Sequence, residues 1–388
     1  MELLFKILFY ISAFIIVWAM VGYPVSLKII GKIYKSRKLK KDYKHQPTVT
    51  VMVVAHNEEK VILEKLHNII KLDYPKEKIE FLISSDNSTD RTNEIVKEFI
   101  ANHSEYNIRL YEVKARMGKT NAQNEAQKTV STEYLVMTDA NSMMDKNSVR
   151  ELMAAFTSEN IAYVSGRLSI VNQEASDVSN AEASYWDSDL AAREIEGRIQ
   201  TITAGNGALY ACRTKDYYDF NPIQCHDSAM PPLYALEGKR AIANHDAIAY
   251  EKAGEVIEDE FGRKVRMNRI ILKQILPDVR ILNVFKYGWF SYFYFGHRTC
   301  RYLLWISHFI LFVLSAFLIS GSWFYMLAFI GQVLFYFLAL LKAITKSQNK
   351  YLTLIYYYTV TIIAQWVGVY RILTSKAKPF WDKAESTR

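Results

Sequence analysis

The chain has 388 residues, half of them apolar and 23% charged, which allows two or three folded domains and excludes a disordered polymer. Its three cysteines, Cys212, Cys225 and Cys300, form no Cys-x-x-Cys pair, so neither a disulfide scaffold nor a zinc module is expected. The net charge of +8 reflects many lysines and arginines beside apolar runs, where the positive-inside rule puts them; with no recognition motif present, no nucleic-acid partner is expected.

From Leu3 to Leu27 the only charged residue is Lys6. At about 1.5 Å per residue such a run covers a hydrocarbon core of roughly 30 Å. It predicts a transmembrane helix within residues 1–34; a cleaved signal peptide competes, but the stretch is long and no small-x-small site follows. Lys28, Lys32, Lys35, Arg37, Lys38, Lys40, Lys41 and Lys44 come next. They make residues 35–47 a basic juxtamembrane linker, with the following domain in the cytoplasm and the N-terminus outside.

Residues 48–280 have the texture of a soluble α/β domain. Val49 to Ala55 reads as a buried strand, Glu58 to Lys71 as a helix, Ile79 to Ser84 as a strand, Asp90 to Asn102 as a helix and Glu133 to Thr138 as a strand. That alternation predicts right-handed crossovers and a mostly parallel sheet, with ligands at the carboxyl ends of the strands. Phe285 to Tyr302 is aromatic but carries Lys286, His297, Arg298 and Arg301, so residues 281–302 read as an amphipathic segment at the lipid headgroups. About three spans are expected within 303–373, near 303–320, 323–343 and 352–371, before a tail at 374–388. Three crossings put that tail outside, yet it holds Lys376, Lys378 and Lys383. Either one run is re-entrant or the aromatic segment crosses.

Four polar clusters fall at expected loop ends. His56-Asn57-Glu58-Glu59 follows the first strand, and Ser85-Asp86-Asn87-Ser88-Thr89-Asp90-Arg91-Thr92 follows the second. The latter suits a turn with a helix N-cap, although a carboxylate there can also accept the N3–H of a uracil. Thr138-Asp139-Ala140-Asn141 follows a third strand. Asp139 with Asn141 suits Mg²⁺ or Mn²⁺ if a diphosphate supplies further ligands, and equally suits an ordinary turn. The fourth cluster is His226-Asp227, with Gly205-Asn206-Gly207-Ala208 before it and Arg263-Lys264-Val265-Arg266 after it. A structural His–Asp pair, a solvated or lipid-facing basic helix, and diphosphate binding by arginine all fit these residues. Trp186, Arg193 and Glu196 suit either an acceptor pocket or a solvated helix face with one buried Trp.

Taken in order, the clusters resemble the membrane-bound bacterial branch of the family 2 glycosyltransferases of GT-A fold, which also contains the hyaluronan, chitin and cellulose synthases. The carriers are Val51 to Glu59, Ser85 to Thr92, Gly118-Lys119 with Ala122 and Asn124, Thr138 to Asn141, Gly205 to Arg213, His226-Asp227 with Met230-Pro231, Glu260 to Arg266, and the ending Trp381 to Arg388. The resemblance implies an α/β GT-A (Rossmann-like) cytoplasmic domain with N- and C-terminal transmembrane helices.

It further implies that Asp86 binds uracil, with Asn57 and Glu58 nearby, that Lys119, Arg263 and Arg266 help hold the nucleotide, and that Asp139 with Asn141 meets a divalent metal. Asn141 stands where the family carries a second acid. Asp227 falls at the position of the catalytic base, and Gly205, Asn206 and Gly207 would line the acceptor pocket with Trp186. The expected activity is inverting transfer from a UDP-sugar to a lipid-linked or growing polysaccharide acceptor at the plasma membrane. The alternatives are a processive, polymer-extruding synthase and a non-catalytic nucleotide-sugar-binding subunit. Homo-oligomers and other polysaccharide-assembly partners stay open.

Overall fold

The computed structural model describes residues 1–35, 38–175, 177–254 and 257–380. Arg37 of the basic linker and the ending Trp381 to Arg388 lie outside them. The strands are β1 (Val49–Ala55), β2 (Ile79–Ser85), β3 (Ile108–Glu112), β4 (Tyr134–Asp139), β5 (Met143–Met144), β6 (Ile161–Ile170), β7 (Leu209–Arg213) and β8 (Arg240–Glu251). The helices of the α/β region and those before it are α1 (Glu2–Val17), α2 (Tyr23–Ile33), α3 (Ile62–Ile69), α4 (Thr92–Asn102), α5 (Lys119–Gln127), α6 (Ser148–Ala154), α7 (Asp177–Ile199), α8 (His226–Leu236) and α9 (Ile257–Met267). They are followed by α10 (Ile271–Ile275), α11 (Val284–Tyr287), α12 (Trp289–Phe293), α13 (Cys300–Tyr302), α14 (Leu304–Leu318), α15 (Trp323–Thr345) and α16 (Lys350–Leu373).

One sheet has the order β3-β2-β1-β4-β7-β6-β8-β5. β1 is buried at every position, as its valine-rich run demands of a central parallel strand covered on both faces. The pairs β2–β3, β1–β2 and β1–β4 are parallel, so the expected parallel half is present. Beyond it the sheet is mixed: β7 runs antiparallel to both β4 and β6, and β5 antiparallel to β8, while β6 and β8 are parallel. The reversal of β7 positions the site, because an antiparallel strand begins where its neighbour ends. Leu209 at the start of β7 pairs with Thr138 at the end of β4.

Among the described residues four stretches are long and apolar enough to cross a membrane: Glu2–Ile33, Leu304–Gly321, Trp323–Thr345 and Lys350–Leu373. The aromatic stretch before α14 is more enclosed than a headgroup segment requires. Phe290, Phe293, Tyr294 and His297 are buried, and His297 Nδ1 and Nε2 meet Glu196 Oε1 at 2.6 Å and Asp189 Oδ1 at 2.9 Å on α7. Tyr23 of α2 donates to the same Glu196 Oε1 at 2.6 Å, which ties the N-terminal helix to this junction.

α16 packs on the α/β region. Tyr357 donates to Glu260 of α9 at 3.0 Å, and a methyl on Gly368 would stand 2.7 Å from Asn268 Cβ. Trp305 of α14 bonds Gln365 while His308, one turn on, bonds Tyr358. The chain then returns to the α/β region, where Arg269 Nη1 donates to Pro379 O at 3.3 Å and Arg116 lies 4.7 Å over the Phe380 ring.

Candidate functional site

In the register of the parallel half, Val54 stands beside both Ser84 and Asp139, so the carboxyl ends of β1, β2 and β4 are level. The loops after them therefore share one rim. Asn57 and Asn87 both take positive φ, 54° each, which turns the chain sharply off β1 and β2. The two turns are clipped together: the amide of Thr89 donates to Asn57 Oδ1 at 2.7 Å, and that of Glu58 to Thr92 Oγ1 at 2.7 Å. This delays α3 to Ile62, four residues past the expected start. Asp90 accepts from the backbone N–H of Thr92 at 3.0 Å, a turn bond just ahead of α4, whose N-cap is Arg91 and carries no side-chain cap.

Asp86 is buried, and its two carboxylate oxygens accept the amides of Met117 and Gly118 at 3.1 and 2.8 Å. Gly118 has φ +93°, and a Cβ there would strike the Pro379 carbonyl. The turn delivers Lys119, first residue of α5, across the rim. Its ammonium pairs with Asp139 at the end of β4 and donates to Gly207 O at 3.0 Å.

The Gly205–Ala208 loop reaches this point because β7 begins at the end of β4. Arg193 of α7 donates to Gly205 O at 2.5 Å, and the Asn206 amide donates to Ser165 Oγ at 3.0 Å. A methyl on Gly207 would stand 3.5 Å from Asp227 Cγ and 3.6 Å from Lys119 Nζ. Asp227, in the first turn of α8, is thus beside Lys119 and partly exposed, so a hydroxyl group can approach it. Asn206 Nδ2 and the Tyr163 hydroxyl are buried here without a hydrogen-bond partner among the described residues. His226 is turned away: burial first, and then the charge of Lys119, push its pKa down to about 3. The neutral ring meets the Tyr218 carbonyl at 3.1 Å through Nε2, which must carry the proton.

Burial raises the Asp227 carboxyl above its ordinary value, with Asp139 adding to the shift and Lys119 and Arg193 opposing it. Burial alone would lower the Lys119 ammonium, but Asp139 and Asp227 outweigh it and hold Lys119 charged. Arg266 is within electrostatic reach of Asp139 and Cys225. Burial, then Arg263 and Arg269, bring it down to about 10, while Cys225 and Asp139 pull the other way.

The rim therefore gathers Asp86, Lys119, Asp139, Gly205, Asn206, Gly207, Asp227 and Arg266, with Asn57 and Glu58 at the neighbouring turn. Arg263 is placed otherwise: its guanidinium meets Glu182 at 2.6 Å and Glu260 at 2.8 Å. Trp186 donates to Glu182 Oε1 at 3.3 Å on the same side of α7. Lys65 escaped the sequence reading. It is fully buried beneath the Asp139 loop, donates to Thr138 Oγ1 at 3.0 Å and to Ser142 O, and is brought down to about 7 by burial. Its place in the apolar stripe Ile62, Leu66, Ile69 was the available signal.

Among the described residues no three His, Cys, Asp or Glu side chains cluster in a way that could hold a metal ion. The donor set at β4, one carboxylate and one amide, fits a hard cation only when oxygens of a diphosphate complete its shell.

The sequence profile described as Glycosyl transferase family 2 matches residues 50–215. The chain is 31% identical over 173 residues to the probable glycosyltransferase YdaM of Bacillus subtilis, covering 42% of this chain and 41% of that protein. It is 27% identical over 139 residues to poly-beta-1,6-N-acetyl-D-glucosamine synthase of Staphylococcus epidermidis, covering 32% of each. It is 28% identical over 140 residues to beta-monoglucosyldiacylglycerol synthase of Nostoc sp., covering 36% of this chain and 28% of that one. The chain thus spans well under half the length of these curated relatives. Among solved structures, the mannosyltransferase PcManGT from Pyrobaculum calidifontis, in complex with GDP-Man and Mn²⁺, superposes with a TM-score of 0.72 at 19% identity, over 95% of this chain and 99% of that one. The GT-A-like α/β fold and the matched pattern lead to one conclusion: residues 50–215 are a glycosyltransferase family 2 domain.

Proposed function

We propose that the protein is an inverting glycosyltransferase that moves a sugar from a UDP-sugar to a lipid-linked or growing polysaccharide acceptor at the cytoplasmic membrane face. The observation that carries this reading is the contact group Asp139–Lys119–Gly207–Asp227, in which an accessible carboxylate of raised pKa stands beside a fixed cation. Relatives named for polysaccharide and glycolipid synthesis support the acceptor class.

Asp227 takes the proton of an acceptor hydroxyl as that oxygen attacks the anomeric carbon. The bond from that carbon to the diphosphate oxygen breaks in the same step, so the centre inverts and UDP leaves. Lys119 and Arg266 offset the negative charge that grows on UDP. Asp86 presents its remaining lone pairs to the base, and Asp139 with Asn141 would hold Mg²⁺ or Mn²⁺, which when bound neutralises the diphosphate. Arg263 acts through Glu260 and Glu182, bracing α9 behind Arg266.

In the membrane arrangement that goes with this reading, the N-terminal helix crosses once, α14 and α15 cross as a pair, and α16 lies along the cytoplasmic surface on α9. Three crossings leave the basic tail beside the catalytic domain, so the conflict in positive charge disappears.

The test is UDP release from UDP-sugars by detergent-solubilised protein with Mg²⁺ or Mn²⁺. Asp227→Asn should lower turnover by roughly 10²- to 10⁴-fold with UDP affinity unchanged. Binding without turnover in the parent protein would instead indicate a nucleotide-sugar-binding subunit. Product length on a gel separates single addition from polymerisation.

A further inference from the structure

The Asn141 side chain donates through Nδ2 to Glu251 Oε1 at 2.7 Å, and Ser142 Oγ donates to Glu251 Oε2 at 3.2 Å. The contact is built into the sheet. β5 and β8 pair antiparallel with Met143 opposite Tyr250 and Met144 opposite Ala249, and one further step sets Ser142 against Glu251. Beneath them the buried Lys65 amine grips Thr138 and Ser142 and attracts both Asp139 and Glu251.

A carboxylate only accepts hydrogen bonds, whereas the two ends of an amide differ: the nitrogen donates and the oxygen accepts. Facing Glu251, the Asn141 amide can have only one orientation, with nitrogen toward the carboxylate. Its Oδ1 is then the atom left for any ligand on the other side. An aspartate at 141 would instead set two carboxylates about 3 Å apart, which costs repulsion or a shared proton. The missing second acid of the Asp-x-Asp pattern and the acid at 251 are two halves of one feature.

Resting on the function proposed above, we infer that Glu251 is a positioning residue that locks the Asn141 amide so that Oδ1 faces a divalent cation bound with Asp139 and a nucleoside diphosphate.

The test uses the full chain in detergent with UDP, reading Mn²⁺ binding by loss of the free-ion paramagnetic resonance signal and folding by thermal unfolding. Asp139→Asn should abolish the bound fraction. Glu251→Gln, which frees the amide to turn, should weaken Mn²⁺ roughly 10- to 100-fold, as loss of such outer partners does. Asn141→Asp alone should bind worse than the parent and unfold at lower temperature. The double variant Asn141→Asp with Glu251→Gln should return Mn²⁺ affinity to within a few-fold of the parent, because the amide introduced at 251 can donate to the carboxylate introduced at 141.

Glu251→Gln with Mn²⁺ affinity within twofold of the parent, while Asp139→Asn abolishes binding, overturns this inference and leaves the proposed function standing. A double variant that recovers thermal stability but not Mn²⁺ affinity overturns it too, by reducing the pair to a structural bond. Unchanged Mn²⁺ affinity in Asp139→Asn overturns the metal reading of the whole loop.

Discussion

The amide of Gly205 donates to the carbonyl oxygen of Asp227 at 2.7 Å, and Pro231 is what makes that oxygen available. In a regular helix the N–H four residues on claims each carbonyl, and for Asp227 that residue is a proline inside α8. At Asp227 the helix thus surrenders an internal bond and gains a tie to the Gly205 loop. Gly205 cannot be enlarged, since a Cβ there would overlap the Tyr163 hydroxyl.

Pro231→Ala restores the competing N–H at the cost of that tie. The variant should keep or raise its thermal midpoint, because a proline inside a helix costs about 3 kcal/mol, and should lose turnover by roughly tenfold as the loop shifts from the base. Turnover equal to the parent's would refute the coupling.

The pH dependence of kcat/KM should report Asp227. As the proposed base Asp227 works ionised, and its carboxyl lies above the ordinary value, so activity should rise with pH along an acid limb displaced upward from about 3.9. Lys119 opposes that displacement, so Lys119→Met should move the limb to still higher pH. The position of the limb is the readout, separate from any loss of nucleotide affinity; a limb that stays put excludes Asp227 as its source.

His297 makes stability depend on pH in the opposite sense. Burial disfavours its charge, yet Glu196 and Asp189 win and raise its pKa. A folded pKa above the unfolded one means stabilisation that is complete below about pH 6.5 and fades as pH climbs through the raised value, at about 1.4 kcal/mol for each tenfold gain in proton affinity on folding. The gap in thermal midpoint between parent and His297→Gln should therefore narrow from pH 6 to 9. A gap independent of pH would show that folding leaves the proton affinity of the ring unchanged.

The tail should share a side with the catalytic domain. In right-side-out cells, a maleimide that cannot cross membranes should label Gly321→Cys, between α14 and α15, and spare Lys376→Cys until the cells are opened. Labelling of both in intact cells would make α16 a span.

Much of the rim was legible in advance because strand ends announce themselves: an apolar run gives way to His56-Asn57 after Ala55, to Asp86 after Ser85 and to Asp139 after Thr138. Lys65 and Glu251 gave weaker signals. A lysine in an amphipathic helix and a glutamate at a strand end are ordinary until the partner that buries them is known. Arg263 and Arg266 looked alike on one basic helix; at i, i+3 they lie only about 60° apart around it, so helix geometry does not separate them, and it is the carboxylates of Glu182 and Glu260 that claim the Arg263 guanidinium.

What the sequence determined alone is the order of elements, the four apolar stretches and the chemical types at the loop ends, because local periodicity and side-chain chemistry are properties of neighbouring residues. Tertiary structure decided the reversal of β7, the packing of α16 on α9, and the pairs Lys119–Asp139 and Asn141–Glu251. Their members are far apart along the chain: the turn at Gly118 carries Lys119 to Asp139, and the pairing of β5 with β8 sets Asn141 beside Glu251.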